Sequence, residues 1–306
     1  MPELPYILLY IERLGERLVG QRLERLRVVG PATLQTVSPS PADCVGRQIQ
    51  AVRRLNKRVV IQLEGGIHAV LHLMVLGRLH WNPDPAALPP KKFGLVAFGT
   101  PAGTLLFNEY GSKRRATLHL VHSDGLAAHT RSGVDVTAVD AATFASVLTA
   151  QRRTLKRALS DPNVVDGIGN AWSDEILHEA RLSPSTLTTS LDEEALTRLH
   201  AVAREVLLRW TQWLREENPD ALPRSVTAFH PRMRVHGRYG APCPACATRI
   251  QRIVYADNES NYCPRCQTEG RLLSDRAFAR LLKSDWPKTI EELEQRLPAK
   301  GAPTPG

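Results

Sequence analysis

Four of the five cysteines lie within 24 positions, as Cys243-Pro244-Ala245-Cys246 and Cys263-Pro264-Arg265-Cys266. Two intervening residues let both thiolates of a pair turn back on one ion. Two such pairs make a closed tetrahedral four-sulfur site for one zinc ion, Zn2+. A closed site keeps no open coordination position, so the metal it holds is structural rather than catalytic. Between the pairs, Arg249 to Tyr255 reads as strand and Asp257-Asn258-Glu259 as turn, which is a zinc-ribbon hairpin. Arg249, Arg252 and Arg265 give this hairpin a positive charge suited to a polyanion. The fifth cysteine, Cys44, stands alone and reads as a small, partly buried side chain.

The whole-chain charge points the same way. Lys plus Arg less Asp plus Glu is 40 − 31 = +9, which favours an acidic partner, nucleic acid first. A chain with 42% hydrophobic and 23% charged residues is not wholly disordered. No run approaches the roughly 18 apolar residues of a membrane span. The amino terminus has no basic leader, and Glu12 and Glu16 follow closely on its apolar residues. No export signal is expected there, so a cytoplasmic location is. Reduced cysteines then favour a metal over disulfides.

The elements that must position these residues fall into two kinds. Pro5 suits a first helical turn, and Leu8, Ile11, Leu14 and Leu18 recur at helical spacing, with Gly20 to end the helix. Short Val-, Leu- and Ile-rich runs follow, separated by Gly, Pro and Asp: residues 22–28, 49–54, 59–63, 68–73, 94–98, 104–108 and 117–121. Gly65-Gly66 reads as a hairpin turn. His68, His72 and His80, on or near these runs, read as packed or hydrogen-bonded histidines rather than a second metal site. After about residue 142 the pattern turns helical. Phe144, Val147, Leu148, Leu155 and Leu159 mark one helix, and residues 171–180 a second. Ser190-Leu191-Asp192-Glu193 has the capping-box form and opens a long helix to about Glu217. The expected fold is α+β: an N-terminal helix plus an antiparallel β-sandwich, then a helical domain with a C-terminal zinc ribbon. The expected boundaries are 1–129 for the sandwich domain, 130–142 for a linker, 143–238 for the helical domain and 239–270 for the ribbon. Residues 271–306 form an extension without an assigned role.

Several short motifs occur in one order along this frame. They are Met1-Pro2-Glu3-Leu4-Pro5, Arg53-Arg54-Leu55-Asn56-Lys57, His72-Leu73 with Gly77-Arg78-Leu79, and Gly167-Ile168-Gly169-Asn170 followed by Asp174-Glu175-Ile176-Leu177. With the four cysteines they make the chain resemble the bacterial formamidopyrimidine-DNA glycosylase/endonuclease VIII family, to about residue 270. The resemblance implies that the helical domain is a helix–two-turns–helix module. It implies a DNA repair enzyme, a monomer acting on double-stranded DNA that carries a damaged base or an abasic site. In a bacterial cell that places it at the nucleoid.

The residues that the resemblance makes catalytic are Pro2, Glu3 and Lys57. Removal of Met1 leaves Pro2 as a secondary amine, and an α-amino group titrating at about 8 keeps a neutral fraction near neutrality. That amine can attack the sugar C1′ and form an iminium, from which β- and then δ-elimination cut the strand. Glu3 would carry protons, and Lys57, at a hairpin tip, would hold a phosphate or the sugar oxygen. Asn170, with the amides at its helix start, would hold phosphates flanking the lesion. Lys113, Arg114 and Arg115 would enter DNA near the lesion. Met74, or Val75 beside it, would wedge into the gap left by the flipped nucleotide. Arg252 and Asn258 are the candidates for the ribbon's phosphate contact.

The chain also departs from the family pattern. Tyr6 and Leu8 stand where relatives carry acids, and Asn258 where many carry Arg. The alternative these departures raise is a catalytically silent damaged-DNA-binding protein of the same fold. Oxidised purines and oxidised pyrimidines both remain open as the excised base.

Overall fold

A computed structural model of the chain describes residues 1–111, 113–223, 230–255, 258–273 and 287–296. It divides into two compact units: Met1–Thr137 with Leu207–Thr227, and Ala138–Val206 with Ala228–Gly306. The stretch read as a linker is therefore split between them after Thr137.

In the first unit, helix α1 (Leu4–Leu18) lies against two strands of a β-sandwich, β2 (Ile49–Leu55) and β3 (Arg58–Leu63). The other strands are β1 (Arg25–Val28), β4 (Ile67–His72), β5 (Gly77–Asn82), β6 (Gly94–Thr100), β7 (Gly103–Glu109) and β8 (Thr117–His122), and a one-turn helix, α2 (Pro41–Cys44), lies between β1 and β2. They form two four-stranded sheets, ordered β1-β6-β7-β5 and β2-β3-β4-β8. Every pairing in both is antiparallel. Strand β5 is absent from the runs read in the sequence, because Arg78, His80 and Asn82 alternate with its apolar residues and break any continuous apolar run.

Helix α1 is buried more completely than a single apolar stripe predicts. Leu4, Tyr6, Ile7, Leu9, Tyr10, Leu14 and Leu18 are all buried, whereas Leu8 and Ile11 are only half-buried. A distant segment of the same unit also meets its polar side. Arg215, near the end of the long helix, donates Nε and Nη2 to the Glu12 carboxylate at 2.9 and 2.5 Å. Arg13 Nε donates to the Asn218 carbonyl at 3.2 Å. A partly exposed ion pair is worth only about 0.2–1 kcal/mol. Each buried Leu or Ile contributes about 1.5–3 kcal/mol, so burial anchors this helix.

Two turns position candidate residues. Asn56 and Lys57 form the two-residue loop between β2 and β3, and Asn56 takes the left-handed conformation (φ 54°) that asparagine tolerates. Gly77 closes the Leu73–Gly77 turn, its N–H donating to the Leu73 carbonyl at 2.8 Å. A Cβ there would collide with that carbonyl oxygen, so only glycine fits.

In the second unit, the pattern read as one helix over 144–159 is two. They are α3 (Ala141–Thr149) and α4 (Leu155–Ser160). The break arises because the backbone at 153–155 bonds elsewhere: Thr188 N–H donates to the Arg153 carbonyl and Leu155 N–H to the Thr186 carbonyl, both at 2.8 Å. Asp140 caps α3 through the Thr143 N–H at 2.8 Å. Helix α5 (Asn170–Glu179) comes next, and α6 (Glu193–Glu217) runs from this unit into the first. The residue capping α6 is Asp192, whose Oδ1 accepts the Ala195 N–H at 2.8 Å. Ser190, expected in that role, instead closes the preceding 3-10 turn by donating to the Leu187 carbonyl at 2.8 Å.

The ribbon hairpin consists of β9 (Gln251–Tyr255) and β10 (Asn258–Tyr262), antiparallel in the register Gln251↔Tyr262 to Tyr255↔Asn258, followed by α7 (Pro264–Thr268). Part of the C-terminal extension returns to it. Leu272 N–H donates to the Lys288 carbonyl and Ile290 N–H to the Gly270 carbonyl, each at 2.8 Å. Buried Ile290 then opens a last helix, α8 (Ile290–Arg296), whose Glu291 lies 3.6 Å from Arg265. The rest of the extension, residues 274–286 and 297–306, lies outside the described residues.

Candidate active site and nucleic-acid interface

The amino terminus enters the sandwich unit at the start of α1. Pro2 and Glu3 are buried, and Glu3 supplies the carbonyl for the first helical bond, to Ile7 N–H at 3.1 Å. Lys57, on its hairpin, is 6% exposed. Burial holds the terminal amine of Met1 below its ordinary value of 8.0; the Glu3 carboxylate opposes this, and the Arg78 and Lys57 cations add to it. One carboxylate and two cations therefore converge on the chain's amine. The Pro2 nitrogen itself is an amide while Met1 is attached.

Arg78 belongs to a sequence motif that assigns it no role. It projects from β5, and its Nη1 donates to the Val75 and Gly77 carbonyls at 3.0 and 2.7 Å. The hydroxyls of Tyr10, Tyr6 and Tyr110 lie close enough to oppose the effect of its burial. Tyr6, at one position that departs from the family, is thus a buried neighbour of this cation. A charged residue between Gly77 and Leu79 on a strand was the one signal that could have singled it out.

The candidate wedge lies in the turn that Gly77 closes. Met74 is half-buried with φ 50°, whereas Val75 and Leu76 are 58% and 39% exposed. Val75, the other candidate, is the more accessible apolar tip. Lys113, Arg114 and Arg115 are all exposed; Ser112 lies outside the described residues. Buried Glu109 holds their backbone. Its carboxylate accepts the Arg115 N–H at 3.1 and 2.9 Å and the Ala116 N–H at 3.1 Å. No local pattern marks this carboxylate, because its role needs a fold that returns the loop to it.

In the second unit, Asn170 is the first residue of α5, half-buried behind Gly169. Lys156, from α4, fixes that helix start. Its Nζ donates to the Asn170 carbonyl at 2.6 Å, to Ser173 Oγ at 2.9 Å and to Asp174 Oδ1 at 2.6 Å. Asp174 also accepts from Ser260 Oγ at 2.9 Å and Asn261 N–H at 3.0 Å, and His236 Nδ1 lies 2.7 Å away. Burial would push this carboxyl up, but Lys156 and His236 outweigh it and hold it below the usual carboxylate value. Glu175 accepts three backbone N–H groups, those of Arg234 at 2.8 Å and of Val235 and His236 at 2.9 Å. Two adjacent carboxylates thereby join α5 to the ribbon. Lys156→Met leaves Asp174 charged and buried, which costs about 3–5 kcal/mol. Urea unfolding measures this, and an unchanged midpoint would show that the pair contributes nothing.

The four cysteine sulfurs lie within 4.8 Å of one another. Cys246 is 3.4 Å from both Cys263 and Cys266, and Cys243 is 3.9 Å from Cys266. A tetrahedron with Zn–S bonds of about 2.3 Å has edges of about 3.8 Å, so the donor set fits zinc. The ribbon's buried cluster is Val235, Ile250 and these cysteines. His178, on α5, sets its Nε2 3.3 Å from Cys243 Sγ. A neutral imidazole there donates to the thiolate and fixes its orientation. His178→Phe is expected to weaken zinc retention about 10- to 100-fold. Transfer to a coloured chelator measures it, and unchanged release would reduce the ring to packing.

Arg252 is exposed on β9, its guanidinium 4.5 Å from the Tyr239 ring centroid and its Nη1 3.2 Å from Glu259. Asn258 starts β10 opposite Tyr255; its side chain lies outside the described residues. Cys44 is fully buried, and burial pushes its thiol up to about 11.

A helix and β-sandwich in one unit, and helices joined to a four-cysteine ribbon in the other, define one class: zinc-ribbon proteins with an N-terminal sandwich domain and a helical module. Comparison with known proteins agrees along most of the chain. The family model described as Formamidopyrimidine-DNA glycosylase N-terminal domain matches residues 1–147, the Formamidopyrimidine-DNA glycosylase H2TH domain 133–212, and the Zinc finger found in FPG and IleRS 240–268. A formamidopyrimidine-DNA glycosylase of Thermus thermophilus is 33% identical over 292 residues, covering 88% of this chain and all of that one. That of Roseiflexus sp. RS-1 is 31% identical, with 87% of this chain and all of that one covered. The crystal structure of the Thermus thermophilus MutM (FPG) protein superposes with a TM-score of 0.73 at 32% identity, covering 87% of this chain and 98% of that one. Lactococcus lactis Fpg in complex with abasic-site DNA shares the fold, with a TM-score of 0.77 at 23% identity over 87% and 99% of the two chains. The chain belongs to the formamidopyrimidine-DNA glycosylase family.

Proposed function

We propose that this protein is a bifunctional DNA glycosylase and abasic-site lyase of base-excision repair, acting on damaged duplex DNA. The observation that carries the reading is the convergence of Glu3, Lys57 and Arg78 on the terminal amine, next to buried Pro2. Once Met1 is removed, the Pro2 amine lies among the same groups. Burial and the two cations favour its neutral, nucleophilic form. It attacks C1′ of the damaged nucleotide, and the base departs with a proton. Glu3 passes a proton to the ring oxygen as the sugar opens to the iminium. Loss of a 2′ proton then expels the 3′ phosphate, and a second elimination expels the 5′ phosphate. Hydrolysis of the imine returns the Pro2 amine. Lys57 holds the lesion's phosphate or sugar oxygen.

Asn170, held by Lys156, binds the flanking phosphates. Val75 or Met74 fills the vacated stack, and Lys113, Arg114 and Arg115 follow the backbone nearby. Arg252 reaches a phosphate by exchanging Glu259 for it, and Asn258, at the start of the paired strand, is the second polar candidate for that contact. Zinc, held by Cys243, Cys246, Cys263 and Cys266, keeps the ribbon folded. Among the described residues no helix is long and apolar enough to cross a membrane. We place the protein in the bacterial cytoplasm, at the nucleoid.

Borohydride trapping on a duplex with one abasic site tests the lyase. A covalent adduct at Pro2 is expected. No adduct, from protein shown by mass spectrometry to lack Met1 and to carry zinc, would favour a silent damage-binding protein. A panel of single-lesion duplexes then separates oxidised purines from oxidised pyrimidines.

A further inference from the structure

The outer face of the β2-β3-β4-β8 sheet carries imidazoles that the mechanism does not use. His72 ends β4, and His119 lies on the edge strand β8, opposite Val70. The 3-10 segment Ser123–His129 brings His129 to His119, with ring centroids 4.5 Å apart. Arg58, beside Lys57, donates Nη1 to the His129 carbonyl at 2.6 Å. Asn56, on the other side of Lys57, accepts the Arg131 N–H at 2.8 Å.

The charged groups acting on these rings are cationic: Arg58, His119, Arg131 and Lys57 on His72, His129 and Arg58 on His119, and Arg58 on His129. Burial first, and this crowding second, hold all three below the ordinary histidine value, His72 at about 4. Arg53 on β2 acts on His68, which engages Ser123 at 3.1 Å. The nearby acids have other partners: Asp124 accepts the Gly125 N–H at 2.9 Å, and Asp135 pairs with Arg54. An anion is the ligand that relieves such crowding.

We propose that His119 and His129, flanked by Arg58 and continuous with Lys57 through His72, bind a DNA phosphate and take up protons as they do so. This rests on reading the chain as a DNA-repair enzyme, and it extends the strand's path beyond Lys57 to β8. Each imidazole takes one proton from solvent on its unprotonated ring nitrogen, and no bond in the DNA changes. The phosphate favours the imidazolium and raises a pKa that the free protein holds low. Between those two values binding takes up protons, so affinity rises as pH falls.

The test measures affinity for an undamaged duplex and for one with an abasic-site analogue, at several pH values. Wild type is compared with His129→Gln and with His119→Gln/His129→Gln. From about pH 7.5 to about pH 5.5, wild-type binding is expected to tighten about tenfold more than that of the double variant, with the single variant between. Thermal melting confirms that the variants fold. Equal pH dependence in all three proteins on both duplexes overturns the proposal, as does failure of the wild type to bind either duplex. The pH-linked difference without a borohydride-trapped adduct supports the phosphate site while removing the lyase reading.

Discussion

Replacing Glu3 by Gln is expected to slow strand cleavage at an abasic site about 10²- to 10⁴-fold, the span of a lost proton carrier. The shape of the loss identifies the step. The Glu3 carboxylate raises the pKa of the Met1 amine, whereas burial and the two cations lower it, and the Pro2 amine that takes its place is expected to feel the same groups. Without the carboxylate the amine titrates lower, and more of it is neutral at a given pH. At an abasic site, where the sugar already opens to its aldehyde in solution, iminium formation should therefore survive, with its acid limb shifted to lower pH, while the proton transfers of elimination fail. A borohydride adduct that still forms, on an enzyme that hardly cuts, is the expected pair of results. Pro2→Gly should behave differently, because a primary amine replaces the secondary one and both adduct formation and cleavage slow together. Cleavage by Glu3→Gln at the wild-type rate would remove Glu3 from the mechanism.

Loss of the metal is expected to have the second large effect. Zinc contributes about 10–16 kcal/mol of apparent binding energy to small zinc-finger folds. The four cysteine sulfurs lie at the centre of the ribbon's buried cluster with Val235 and Ile250, so loss of the ion leaves thiols crowded where the metal held the hairpin to its turns. Asp174 and Glu175 pass the change to α5, since their partners lie at 234–236 and 260–261. Cys263→Ser, or chelation of the wild type, should weaken duplex binding by about 100-fold or more. The sandwich unit should keep its own thermal transition, because it holds no zinc ligand. Metal analysis alongside a binding isotherm decides the matter: a zinc-free protein that binds with unchanged affinity would make the ribbon dispensable.

What was legible in the sequence was contiguous. Two Cys-x-x-Cys pairs and the Met1-Pro2-Glu3-Leu4-Pro5 opening sit within a few positions each, so spacing alone exposes them. The family, the α+β architecture and the zinc site followed from these. What sequence reasoning missed depends on partners remote along the chain. Lys156 lies fourteen and eighteen positions from Asn170 and Asp174. His178 is sixty-five positions from the sulfur it meets. Arg78 counts only because β5 carries it to the amino end. Local rules failed where a tertiary bond competed with them. Ser190 satisfied a nearer carbonyl and left the cap to Asp192, and the backbone at 153–155 bonded across to 186–188, breaking one amphipathic pattern into two helices.

The hairpin that carries Lys57 is fastened on both sides, Asn56 accepting from Arg131 and Arg58 donating to the His129 carbonyl. Holding a backbone residue in one conformation costs about 1–2 kcal/mol of conformational entropy. Here that freedom is already lost when the protein folds, before any DNA arrives. The lysine is thus preorganised, and more of its attraction to a phosphate is left to discriminate among nucleic-acid geometries instead of ordering the loop that bears it.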